Sequence, residues 1–209
     1  MNQLRLMRRL RSVADLRAWI VADTSVAINL NATGVAAHIL GVLPFRVAIT
    51  DVVVAELQED RRSGRRDAEL VDELVKALHI EVVSLGAVGQ GLFIDLVIGP
   101  AAETLDDGEA TTIAYAAEHG IAPVIDERKA RRICTQRFAQ LRPMSTVDIF
   151  KEATVEAALG RQTLSDAVFQ ALQTARMRVL PHQLDWVAGL IGADRVSHCP
   201  SLPRAARRR

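Results

Sequence analysis

Four acidic side chains sit where the sequence could bring carboxylates together for chemistry. Asp23 and Asp126 each follow a short apolar run, residues 19–22 and 122–125. Glu109 opens an Ala-rich stretch that begins Leu105-Asp106-Asp107-Gly108-Glu109-Ala110 and continues through Ala117. Glu56 lies among Val52, Val53, Val54 and Leu57, inside an otherwise apolar helix pattern. Several buried carboxylates repel, raise one another's pKa values and destabilise a fold. A divalent cation relieves that conflict. Mg²⁺ and Mn²⁺ prefer oxygen ligands, and Mg²⁺ usually takes one or two carboxylates while keeping waters and substrate phosphate oxygens. Such an ion lowers the pKa of a bound water and stabilises the attacking and leaving oxygens at phosphorus. The chemistry implied is metal-assisted phosphodiester hydrolysis.

Each acid alone has a plainer reading. Asp23 could be only a helix cap, and Asp107 and Glu109 only first-turn acids facing exposed N–H groups. Glu56 could lie at the edge of its helix face. It is the set that points to a site. An acidic pocket repels a polyanion unless basic residues flank it. Arg61, Arg62, Arg65 and Arg66 form one such cluster, and Arg128, Lys129, Arg131 and Arg132 another; each taken alone reads as solvated surface.

The elements that must position these residues alternate. Residues 3–18 read as a basic amphipathic helix, with Leu6, Leu10 and Val13 at helical spacing. Residues 19–22 form a buried strand ending at the cap-like Asp23-Thr24-Ser25, and one helix is predicted over 26–40. A strand at 46–49 follows, then a helix from Thr50 or Asp51, the basic loop 61–66 and a helix over 68–78. Residues 80–85 read as a β-branched strand, 92–98 as a helix, and a further helix starts at Asp107. A strand at 122–125, a cationic helix from Glu127 and a helix over 146–158 complete the alternation. Helices over 164–177 and 181–191 follow, and then the tail Arg204-Ala205-Ala206-Arg207-Arg208-Arg209. The alternation predicts a three-layer α/β/α sandwich around a mostly parallel sheet, with short C-terminal helices. Right-handed crossovers would place Asp23 and Asp126 at the carboxyl ends of their strands.

The chain has 209 residues, enough for one well-buried core with a small helical appendage. A net charge of +1 assigns no partner, so local clusters must do so. Cys134 and Cys199 have no metal-ligand spacing, which excludes a disulfide framework and fits a reducing cytosol. The five histidines form no zinc-binding pattern. No apolar run approaches the roughly 18–20 residues of a membrane span, and no secretory signal is evident, so a cytoplasmic location is expected. GxxxxGK, GxGxxG and GxSxG patterns are absent, which argues against nucleotide-driven and serine-hydrolase chemistry. An aspartyl phosphoryl transferase would want an acid two residues after Asp23, where this chain has Ser25.

Asp23-Thr24-Ser25-Val26-Ala27-Ile28-Asn29-Leu30, Val54-Ala55-Glu56-Leu57, Asp107-Gly108-Glu109-Ala110 and Val124-Ile125-Asp126-Glu127-Arg128 resemble the successive motifs of a PIN domain, in order and spacing. The resemblance covers roughly residues 18–150 and is closest to a prokaryotic PIN-like subgroup with a Gly-Glu-Ala helix. Met177-Arg178-Val179-Leu180 is similar to the segment beyond the core in that subgroup. The resemblance implies a Mg²⁺- or Mn²⁺-dependent ribonuclease whose metal-binding and catalytic acids are Asp23, Glu56, Glu109 and Asp126. Asp107 stands close enough to help or replace Glu109, and Glu127 competes with Asp126. Thr24, Ser25 and Asn29 match polar positions that steady the first acid or a metal water. Many such relatives are toxins of VapC type, commonly dimeric and held by a cognate antitoxin. RNA contacts would fall to Arg61, Arg62, Arg65, Arg66, Arg128 and Arg131. The expected division is a basic helix at 1–18, a nuclease domain at 19–150 and a helical extension with a basic tail at 151–209. The rival reading is a catalytically idle PIN-like module that binds RNA or a protein.

Overall fold

Short β-branched runs closed by capping residues become strands. The computed structural model describes residues 18–60 and 66–203. Within them Ala18–Ala22 forms β1, Phe45–Thr50 β2, Ile80–Val83 β3 and Ala122–Val124 β4. The strands hydrogen-bond in the order β3-β2-β1-β4, every pairing parallel. Successive side chains of a strand point to opposite faces, and the core divides accordingly. Ile20, Ala22, Val47, Ile49 and Val124 belong to one buried cluster, and Val21 and Ala48 to a second.

Helices cover both faces, which is why the central strands are apolar throughout rather than alternating. On the first face lie α1 (Thr24–Ala32), α2 (Ala36–Val42), α3 (Asp51–Asp60) and α4 (Asp67–Lys76). On the second lie α5 (Ala87–Val97), α6 (Asp107–His119) and α7 (Arg128–Arg137). The three-layer α/β/α architecture is the one predicted.

Two predicted helices are each broken. The helix expected over 26–40 stops at Ala32, because Thr33 Oγ1 donates to Leu30 O at 2.6 Å and accepts from Val35 N at 3.1 Å. Gly34 then takes φ +71°, a left-handed turn that glycine adopts without penalty. The helix expected over 146–158 divides into α8 (Thr146–Phe150) and α9 (Ala153–Leu159). The helix read at 92–98 begins earlier, at Ala87. The basic helix expected over 3–18 lies outside the described residues except for Ala18, which begins β1. Arg61, Arg62, Arg65 and the tail 204–209 also lie outside them.

Beyond α9 come α10 (Arg161–Thr174), a 3₁₀ turn at Pro181–Gln183, α11 (Leu184–Ile191) and α12 (Ala193–Ser197). Val155, Leu164, Leu172, Met177 and Val187 from this region share one buried cluster with Ile20 and Leu30. Each such side chain contributes about 1.5–3 kcal/mol by leaving water. Gln183 is fully buried. Its Nε2 donates to Ser145 Oγ and Asp148 Oδ1, both at 2.8 Å, tying the 3₁₀ turn to the cap of α8. Among the described residues no single helix is long and apolar enough to cross a membrane.

Candidate functional site

β1 has β2 on one side and β4 on the other, so the strand order reverses beside it. Open α/β sheets bind ligands in the crevice at the carboxyl ends of strands, where the order reverses. Asp23 follows β1 directly, and Asp126 comes two residues after β4. Asp23 N donates to Val124 O at 3.2 Å, which joins the two strand ends.

Both aspartates are buried and held in fixed orientations. Asp23 caps α1: its Oδ1 accepts from Val26 N at 2.8 Å and Ser25 Oγ at 2.9 Å. Its Oδ2 receives no hydrogen bond from a described residue. Asp126 Oδ1 accepts from Thr146 N at 2.8 Å, and Oδ2 accepts from Asn29 Nδ2 at 2.8 Å and from Thr146 Oγ1. Glu56, on α3, accepts from Thr24 Oγ1 through Oε2 and from Gly108 N at 2.7 Å through Oε1. Its carboxylate therefore caps α6 and braces α1 at once. Glu109 is the third residue of α6.

All four acids line a single open cleft of about 580 Å³, together with Glu59, Asp106, Glu127, Arg176 and Arg178. The structure thus brings the four sequence-predicted carboxylates to one place. Burial, then repulsion from Asp126, pushes the Asp23 carboxyl up to about 8 against its hydrogen bonds; Glu109 adds to the push. Burial, then the charges of Asp106 and Glu127, raises Glu109 to about 7. Burial also raises Asp126, opposed by the hydrogen bonds from Thr146 and Asn29. Among the described residues no three His, Cys, Asp or Glu groups stand at the spacing of ligands to one ion. Mg²⁺ needs fewer, since it keeps several waters. An oxygen-only donor set, an unused Asp23 oxygen and mutual repulsion between buried acids fit a hard divalent cation.

The supporting polar residues divide differently from expectation. Ser25 steadies Asp23, but Thr24 serves Glu56 and Asn29 serves Asp126. Asp107 is exposed on α6, and its neighbour Asp106 lines the cleft instead. Glu127 lines the cleft and pairs with Arg178, Nη1 to Oε2 at 2.7 Å. Of the predicted basic residues, Arg66 is exposed and pairs with Glu69 at 3.1 Å. Arg128 is exposed at the start of α7. Arg131 donates to the carbonyls of Ile125, Met144 and Pro143 at 2.6–3.0 Å. Lys129 and Arg132 donate to Ala101 O and Ala102 O, in the loop before α6.

Five residues of the site escaped the sequence reading: Glu59, Asp106, Thr146, Arg176 and Arg178. Glu59 stands three residues after Glu56, one helical turn on, so its spacing was a usable signal. Thr146 follows a Ser145 cap with Asp148 at the third helical position, a capping-box signature that marks a helix start but not its contact with Asp126. Arg176 falls inside the helix expected over 164–177, which ends at Thr174, and Arg178 lies just beyond it; neither reading places them at the cleft.

A family model described as a PIN domain matches residues 19–192. No curated protein and no solved structure matches the chain. PIN domains are a nuclease-type fold and typically use divalent metal ions. A match over most of the sequence, on a sheet with acids at its topological switch point, places the chain in the PIN-domain family.

Proposed function

We propose that the protein is a metal-dependent endoribonuclease that hydrolyses RNA phosphodiester bonds using Mg²⁺ or Mn²⁺. The observation that carries this reading is the pair of buried aspartates, Asp23 and Asp126, at the strand-order reversal, with Glu56 and Glu109 in the same cleft. Asp23 and Asp126 would hold the ion together with waters, with Glu109 orienting such a water and Glu56 as an outer support. When bound, the ion lowers the pKa of a water and offsets charge on the oxygens around phosphorus. The chain's own residues supply orientation. Ser25 Oγ and Val26 N fix Asp23 so that its free oxygen stays available. Thr146 and Asn29 fix Asp126. Glu56 holds the first turn of α6, and with it Glu109, against α1. Glu109, like Glu56, is half-buried, so its carboxyl can exchange a proton with water in the cleft.

The biological setting we propose is a toxin of VapC type in the cytoplasm, paired with an antitoxin and forming a homodimer. Exposed Ile94 and Ile98, four residues apart at the end of α5, are apolar surface that a protein partner would cover. A second reading, an idle PIN-like module that binds RNA or protein, is favoured by one observation: both Glu56 oxygens already accept protein hydrogen bonds. Mn²⁺ titration by calorimetry, alongside cleavage of a mixed RNA pool, separates the two for wild type, Asp23→Asn and Asp126→Asn. The nuclease reading expects metal binding and cleavage in wild type and loss of both in each variant. Folded wild-type protein that binds no metal and cuts nothing would favour the idle module.

A further inference from the structure

The cleft is lined by seven carboxylates, those of Asp23, Glu56, Glu59, Asp106, Glu109, Asp126 and Glu127, against two cations, Arg176 and Arg178. Among the described residues lining the cleft, those two arginines are the cations that can meet the phosphates of a nucleic-acid strand. On α7, Lys129, Arg131 and Arg132 all donate to backbone carbonyls, and Arg128, though exposed, does not line the cleft. We propose that Arg176 and Arg178 form the strand-binding edge of the cleft, gripping backbone phosphates beside the cleaved bond, and that Glu127 occupies Arg178 until a strand displaces it. This rests on the nuclease reading above and names the element that receives its substrate.

The segment between α10 and the 3₁₀ turn is built for this role. Met177 is buried, and its N–H donates to Ala171 O at 3.1 Å. Anchoring that residue leaves its two neighbours outside the core, where both are exposed and line the cleft. Arg176 takes φ +55°, a left-handed conformation that is strained for a non-glycine residue and persists only where its surroundings enforce it. The far end of the segment is fixed by buried Gln183. The two arginines therefore sit on a strap pinned at both ends rather than on a free loop.

Arg178 pairs with Glu127 at 2.7 Å while its own side chain is 62% exposed. So exposed a pair is screened by solvent, and opening it is cheap. A backbone phosphodiester presents the same fork of acceptor oxygens that a carboxylate does, with the same single negative charge, so it can replace Glu127 on the guanidinium. Contacts of this kind read the backbone and carry no base sequence. The strap therefore holds a strand by charge and spacing, and discrimination among sequences must come from elsewhere.

The test uses the full chain and a labelled single-stranded oligouridylate, with Ca²⁺ in place of Mg²⁺, over a series of salt concentrations. Each phosphate contact to a single strand contributes about 0.7 to the slope of log affinity against log salt. Arg176→Ala/Arg178→Ala should lower the slope by about 1.4, two contacts at that value, and weaken binding at least about tenfold at low salt. Mn²⁺ binding by calorimetry should be unchanged. Arg176→Lys/Arg178→Lys should restore most of the slope, which a purely structural role for the pair would not do. Glu127→Gln should tighten oligonucleotide binding, and by less when Arg178 is already alanine, since the two substitutions then remove the same competition. An unchanged slope in the double alanine variant overturns the proposal, as does an equal effect of Glu127→Gln with and without Arg178. Wild type that binds Mn²⁺ but no oligonucleotide overturns it as well. Binding through the strap with no cleavage of any RNA sinks the nuclease reading and leaves the arginine contacts standing.

Discussion

Asp23 serves as helix cap and as candidate metal ligand, and the two roles respond differently to charge. The cap needs only an acceptor oxygen, and Asn caps about as well as Asp. The cleft, by contrast, holds the charge against burial and Asp126, which raises the carboxyl from 3.8 to about 8. The folded protein therefore keeps a proton that the unfolded chain releases. That contribution to stability is full below about pH 3.8 and is lost as pH rises to about 8, by at most about 1.4 kcal/mol per pH unit. Glu109, raised from 4.5 to about 7, acts with the same sign. Metal-free wild type should thus melt at progressively lower temperature between about pH 5 and pH 8. Asp23→Asn should flatten that dependence and raise the melting temperature at the alkaline end, and added Mn²⁺ should do the same for wild type. Parallel melting curves for wild type and variant across this range would remove Asp23 as the source. The four acids were legible in sequence because each interrupts or terminates an apolar pattern. Arg176 and Arg178 were not, because an exposed arginine leaves no trace in hydrophobic periodicity.

At the level of elements, the approach of α3 to α6 decides whether the cleft is assembled. Gly108 is buried at the second position of α6, and a Cβ there would collide with Glu56 Oε2 and lie 2.7 Å from Thr24 Oγ1. The Gly of Gly-Glu-Ala is needed for close packing. Gly108→Ala should push Glu56 off the helix start, cost about 1–3 kcal/mol as overpacking typically does, and abolish metal-dependent cleavage. Urea unfolding and the RNA-pool assay measure both effects; full stability with full cleavage would show that Glu56 has room to move. The strands and their order of alternation were legible because buried parallel strands read as bare apolar runs. The break between α1 and α2 was not, since apolar spacing continues across it through Val35 and Ile39. Gly34 was its one mark, and a glycine inside a helical pattern is also compatible with an unbroken helix.

For the molecule as a whole, the helices after residue 150 behave as part of the core. Val155, Leu164, Val168 and Leu172 pack with Leu30 and Ile39 in one cluster. A chain ending at residue 152 should expose that surface and lose its cooperative unfolding transition, with near-UV circular dichroism lost before far-UV. A sharp transition in the truncated chain would instead make the helices an independent appendage. The motif acids stop at Asp126, and the later helices read mainly as apolar spacing, which looks alike in any packed helix.

The parallel sheet also sets a clock. β4 can pair with β1 only after about a hundred intervening residues have been made, and Asp126 stays apart from Asp23 until then. The arginine strap and Gln183 emerge later still. At about 5–20 residues per second of synthesis, all four acids are in the chain seconds before the residues of the cationic edge are. A nascent chain thus carries its whole acid set while the edge that would draw in an RNA strand is still inside the ribosome. On the reading proposed above, the enzyme is born unable to grip the message that encodes it.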